Sequence, residues 1–183
     1  MNFTELSILR QSVRKYSPKE VEREKIERCL EAARLAPSAC NSQPWYYIVI
    51  DESGLREKVA RETYNKIVPF NQFALEAPVI VVIVMEKATA LSQIGGRIKN
   101  KEYPLIDIGI SAEHFCLQAA EEGLGTCMIG WFNEKRLKKL LQLPDKRSIG
   151  LIITLGYAEN GEIRKKIRKP LDKMSQFNQY KKP

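Results

Sequence analysis

The run Pro78-Val79-Ile80-Val81-Val82-Ile83-Val84-Met85 constrains the fold more than any other stretch of this chain. Its residues are β-branched almost throughout, which favours a strand, and they are apolar at odd and even positions alike. A strand sends successive side chains to opposite faces, so a run without a polar face must be covered on both sides. The run therefore predicts a central strand inside a layered domain. It is also too short to cross a bilayer, which needs about 20 apolar residues.

Around this strand the pattern alternates. "WYYIVI" (Trp45 to Ile50) and "SIGLIITLGY" (Ser148 to Tyr157) read as strands, and "GTCMIGWF" as a short strand or turn. Thr4 to Gln11 reads as a short helix capped by Thr4. Val21 to Leu35 reads as a helix with a buried stripe of Ile26, Cys29, Leu30, Ala33 and Ala36, ended by Pro37. Ser53 to about Tyr64 is a further helix with Leu55 and Val59 inward, and the loop "IVPFNQF" follows it. Pro104 to Glu122 is a long helix with Leu105, Ile108, Ala112, Phe115 and Ala119 on one stripe, a nearly uncharged first half expected to be buried, and Gly123 as its stop. Asn133 caps a helix carrying Leu137, Leu140 and Leu141, and Pro144 ends it. Lys87 to Tyr103, with Gly95-Gly96, reads as a surface excursion or lid. Alternation alone would suggest parallel βαβ units. Two opening helices, a buried central helix and an extended C-terminal arm point instead to an α+β fold, with residues 1–183 as one domain.

Charge narrows the function classes. The net charge of +8 sits almost wholly in the basic arm of residues 164–183, where eight Lys or Arg meet one Asp. Residues 1–163 are nearly neutral, so a broad nucleic-acid-binding face is not expected, although the arm alone keeps a nucleic-acid-binding module open as an alternative. Cys29, Cys40, Cys116 and Cys127 form no C-x-x-C pair and His114 is the single histidine, so no metal site is expected. Cys29 and Cys116 read as core filler. Scattered thiols and an N-terminus without the order of a secretion signal lead to the expectation of a soluble, cytoplasmic protein with no membrane contact.

Three segments at the edges of regular elements could carry chemistry. In Arg10-Gln11-Ser12-Val13-Arg14, the two guanidinium groups and a hydroxyl suit phosphate oxygens. "PSACNSQ" exposes peptide edges and short amides that suit the rim of a planar heterocycle; alternatively it is a plain loop, or a nucleophile loop around Cys40. "GLGTCMIG" is glycine-rich without being G-x-G-x-x-G, so it does not support a Rossmann site.

Taken in order, "LRQSVRKYS", "CLEAARLAPSACNSQPWYYIVI", "EAPVIVVI", "GLGTCMIGWF" and "IRKPLDK" resemble the nitroreductase family of FMN-dependent oxidoreductases over nearly the whole chain. The resemblance implies a sheet wrapped by helices and an obligate homodimer whose extended arms embrace the partner, with FMN in the interface. It implies that Arg10, Gln11, Ser12 and Arg14 hold the phosphate and the pyrimidine edge, and that Pro37, Ser38, Ala39 and Asn41 of the other chain line the ring. Asn71 would serve the pyrimidine edge. Met128, Ile129 and Gly130 would lie near the flavin N5, and Lys166 and Arg168 would close on the phosphate. Gln11 replaces the basic residue more usual there, and Trp131 replaces a small one. The implied activity is hydride transfer from NAD(P)H through flavin to an electron-poor small molecule such as a nitroaromatic or quinone. Dehalogenation or dehydrogenation on the same fold are the closer alternatives.

Overall fold

Four strands form one antiparallel sheet in the order β1-β2-β4-β3: β1 (Trp45–Ile50), β2 (Val79–Met85), β3 (Gly125–Ile129) and β4 (Ser148–Gly156). The computed structural model describes residues 1–67 and 69–180; Val68 of the "IVPFNQF" loop and Lys181 to Pro183 of the arm lie outside the described residues. The apolar run is indeed central. Every β2 residue from Val79 to Val84 is buried, with β1 on one side and β4 on the other.

Its two faces fill two different layers. Val79, Val81 and Ile83 pack with Ile26, Cys29 and Ala33 of α2 (Arg23–Arg34) and with Ile108, Ala112, Phe115 and Ala119 of α5 (Tyr103–Glu121). Ile80, Val82 and Val84 pack with Val59 and Ala60 of α3 (Ser53–Arg61), Phe73, and Leu137 of α6 (Glu134–Leu140). The result is helices, sheet, helices. Each fully buried Val, Ile or Phe contributes about 1.5–3 kcal/mol, so these two layers carry the fold. Cys29 and Cys116 are core residues, as their helix faces imply, and burial pushes both thiols up to about 12.

Several boundaries differ from the sequence expectation. The first helix, α1, is Phe3–Leu9, and its cap is Asn2 rather than Thr4: the Asn2 side chain accepts from Glu5 N–H while the Glu5 carboxylate accepts from Asn2 N–H. Residues 87–103 contain a helix, α4 (Ala90–Lys99), capped by Thr89 and stopped by left-handed Asn100. Gly96 fits there because the chain returns closely over it, a β-carbon falling 2.7 Å from the Lys101 carbonyl oxygen. The first turn of α5 is not buried either. Leu105 and Ile106 are about half exposed, and Leu91, Ile94 and Ile98 on α4 more so. Among the described residues no helix is long and apolar enough to cross a membrane.

Candidate functional site

The segment after α1 is laid along the sheet as a short extended piece. Ser12 bridges Thr126 of β3 in parallel, Val13 N–H donates to the Thr126 carbonyl at 2.8 Å, and Tyr16 bridges Ala158 just beyond β4. Val13 and Tyr16 point into the core, and Tyr16 OH is held by the Val13 carbonyl and Thr154 Oγ1. Arg14 turns outward, while the half-buried Ser12 side chain lies beside the Cys127 thiol. Gly125 makes this possible: a β-carbon there would fall 2.5 Å from Val13 Cγ2.

The arm returns to the same place. Gln11 Nε2 donates to the Glu162 carbonyl at 2.7 Å, while its Oε1 accepts from Arg164 N–H at 3.1 Å and Arg164 Nε at 3.2 Å. Arg164 also donates to the Ser12 carbonyl, and Lys166 Nζ to the Arg10 carbonyl. A lysine or arginine at position 11 has no acceptor and could not make the two bonds to Arg164, so the departure to glutamine has a physical use.

Five cations thus gather at one edge: Arg10, Arg14, Arg164, Lys166 and Arg168. Among the described residues one carboxylate is ion-paired with them, Glu113 of α5, at 3.2 Å from Arg10 Nε. The Lys166 ammonium is pushed below the usual lysine range by burial and by its neighbours Arg10 and Arg168. Nearby, burial raises the Cys127 thiol while Arg14 opposes the rise. A surplus of positive charge at a partly desolvated point is an anion site in waiting. The adjoining cavity, lined by Arg10, Gln11, Gly125, Thr126 and Ile163, measures about 180 Å³. A small-molecule pocket is typically about 300–1,000 Å³, so this cavity is smaller than most.

Pro37, Ser38, Ala39 and Asn41 are not brought to this edge. Among the described residues their loop is tied elsewhere: Ala39 N–H to Asp107 Oδ1 of α5 at 3.0 Å, Thr89 N–H to Ser42 Oγ at 2.8 Å, and Gln43 N–H to Ser38 Oγ at 2.9 Å. Cys40 is exposed, and His114 Nδ1 lies 3.3 Å from the Ala32 carbonyl oxygen, a structural contact rather than the partner of a nucleophile. Met128, Ile129 and Gly130 end β3, with Gly130 exposed. Asn71 is buried and donates to the carbonyls of Thr63, at 3.0 Å, and Trp131, at 3.4 Å, so it fixes the turn that follows Gly130. Sequence reasoning singled out neither Arg164 nor Asp107. The second had a signal, an acid alone in the apolar first half of a helix. Among the described residues no group of His, Cys, Asp and Glu could hold a metal ion.

Comparison with known proteins gives a consistent picture. The model described as "Nitroreductase family" matches residues 9–157. The oxygen-insensitive NADPH nitroreductase of Helicobacter acinonychis is 26% identical over 178 residues, covering 80% of this chain and 82% of that protein. Among solved structures, the FMN-dependent nitroreductase of Clostridium difficile R20291 is 29% identical with a TM-score of 0.77, covering 97% of this chain and 100% of its own. A nitroreductase family protein of Clostridium novyi NT is 29% identical with a TM-score of 0.75, covering 90% and 89%.

Proposed function

The chain belongs to the nitroreductase family, and from that premise we propose that it is an FMN-dependent NAD(P)H oxidoreductase acting on an electron-poor small molecule such as a nitroaromatic or quinone. The observation that carries this reading is the gathering of Arg10, Arg14, Arg164, Lys166 and Arg168 around one edge with Glu113 as their paired acid. The donor set fits FMN: its phosphate is close to a dianion, and guanidinium and ammonium groups are the donors that hold such a group. When bound, FMN supplies two-electron chemistry, accepting a hydride equivalent from a reduced nicotinamide and passing it to the acceptor.

The chain's own residues then have distinct tasks. Arg10, Ser12, Lys166 and Arg168 hold the phosphate side, while Gln11 and Arg164 keep the arm in place to do so. Arg14, exposed and outward, offers positive charge to the pyrimidine edge, where it favours the reduced state. Met128, Ile129 and Gly130 present backbone groups to the ring, and Asn71 supports them through the Trp131 carbonyl. Pro37, Ser38, Ala39 and Asn41 line the ring from a second copy. No proton-relaying triad is required of the protein, consistent with His114 standing in a structural contact.

The second copy is argued from exposed apolar surface. Leu91, Ile94 and Ile98 of α4, Leu105 and Ile106 of α5, and Ile167, Leu171, Met174 and Phe177 of the arm are all exposed in the single chain. Apolar exposure on this scale marks an interaction surface, which a homodimer covers. We read residues 1–183 as one FMN-binding domain, with 164–183 as the arm reaching toward the partner. A cytoplasmic setting fits four free cysteines, three of them buried. The reading predicts that denaturing the isolated protein releases about one FMN per chain, measured by absorbance. Release of no flavin from protein that had been saturated with FMN contradicts it.

A further inference from the structure

Asp107 is the only charged residue in the first half of α5, from Tyr103 to Ala112, and it is 3% exposed. Its Oδ1 accepts from Ala39 N–H, and its Oδ2 has no partner among the described residues. A buried carboxylate is costly to keep unless its charge is used, and an asparagine would offer the same acceptor without that charge.

The loop it holds is itself strained. Cys40, Asn41 and Gln43 have φ of 53°, 49° and 44°, in the left-handed region that residues other than glycine occupy only when their surroundings impose it. Within the loop, Asn41 N–H and Ser42 N–H donate to the Ser38 and Ala39 carbonyls, and Gln43 Nε2 donates to Asn41 Oδ1. Ser42 Oγ is tied to Thr89 N–H and Gln43 N–H to Ser38 Oγ, both neutral; the Asp107 bond to Ala39 is the charged one, and it is applied immediately before the first left-handed residue. Charge-assisted bonds are the stronger kind, and this one ties the loop to α5 rather than to itself.

We infer that Asp107 is a positioning residue: its buried carboxylate fixes the Ala39 peptide and so holds the turn that follows, with Cys40, Asn41 and Gln43 left-handed, in the conformation that presents the ring-lining residues. It acts through Ala39. The inference rests on the FMN reading above for what the loop lines, but not for how the loop is held.

The test compares wild type with Asp107→Asn and Asp107→Leu. Three quantities are measured: FMN affinity of the apoprotein by fluorescence titration, amide exchange across residues 39–43 without FMN, and the thermal midpoint. Asp107→Leu is expected to weaken FMN binding about tenfold or more and to speed exchange at residues 39–43 by a similar factor, as loss of a charge-assisted bond implies. Asp107→Asn, which keeps the acceptor but not the charge, is expected to fall between wild type and Asp107→Leu in both. The inference is overturned if Asp107→Leu leaves both readouts within about twofold of wild type. It is equally overturned if both variants lower the thermal midpoint alike while exchange in the loop is unchanged, the mark of a general loss of packing. If wild type fails to bind FMN while Asp107→Leu still frees the loop, the FMN reading falls and the anchor stands.

Discussion

A chain ended after Ile163 is expected to keep its sheet and to bind FMN at least about a hundredfold more weakly than the full chain. The core has no residue beyond Ala158, so removing the arm takes nothing from either packed layer. It does remove Arg164, Lys166 and Arg168, three of the five cations at the Arg10 edge. Hydrogen bonds to charged groups contribute about 1.5–3 kcal/mol each, and two such losses at the low end already amount to about 3 kcal/mol. Fluorescence titration of apoprotein with FMN measures the loss, and circular dichroism checks the fold. Unchanged FMN affinity in the shortened chain, with loss of salt-dependent binding to duplex DNA instead, would give the arm to nucleic acid.

The second large effect is expected at Gly125, where the sheet meets the Arg10 to Arg14 segment. A β-carbon there would fall 2.5 Å from Val13 Cγ2 and 2.8 Å from Val13 Cβ. The Val13 backbone is bonded to Thr126, so the segment cannot retreat without breaking that bond. Overpacking of this kind costs about 1–3 kcal/mol, and in a chain of this size each kcal/mol lowers the melting temperature by about 2–4 °C. Gly125→Val should therefore melt about 2–12 °C lower. It should also bind FMN more weakly, because displacing Val13 displaces Ser12 and Arg14. Replacing Val13 by Ala should restore part of both losses, although Val13→Ala alone destabilises; that non-additivity in a double-mutant cycle shows that the two positions act through one contact.

Much of the fold was legible from local pattern. Trp45–Ile50 and Val79–Met85 are strands with the limits that their aromatic and β-branched content sets, and two-sided apolarity put β2 at the centre. Strand order was not legible. The pairing β1-β2-β4-β3 brings together residues as far apart as Val79 and Leu155, which no local period encodes. The helix α4 escaped notice because Gly95-Gly96 lowers its intrinsic propensity and its apolar stripe faces outward. Thr4 has a residue type that suits a cap; Asn2 wins through the reciprocal bond that Glu5 offers at the right spacing.

The site divides in the same way. Arg10, Gln11, Ser12, Arg14, Lys166 and Arg168 stand out by charge and resemblance, and the structure brings these six to one edge, while the loop of Pro37 to Asn41 is tied elsewhere. Arg164 was hidden because a run of basic residues does not say which one folds back; Gln11, able to donate and accept at once, makes that choice. Asp107 was hidden because its role exists only in the contact with Ala39, 68 residues away. Cys40, the most conspicuous reactive group in its loop, is exposed and sits at a left-handed position, a consequence of how the loop turns.

The visible spectrum of the FMN-loaded protein under anaerobic conditions, before and after NADH or NADPH, tests the central claim most directly. The expected result is a flavin absorption band that bleaches with about one equivalent of reduced nicotinamide per FMN and returns when a nitroaromatic or quinone is added. A protein that stays colourless after incubation with FMN, or a bound flavin that neither nucleotide bleaches, would contradict it.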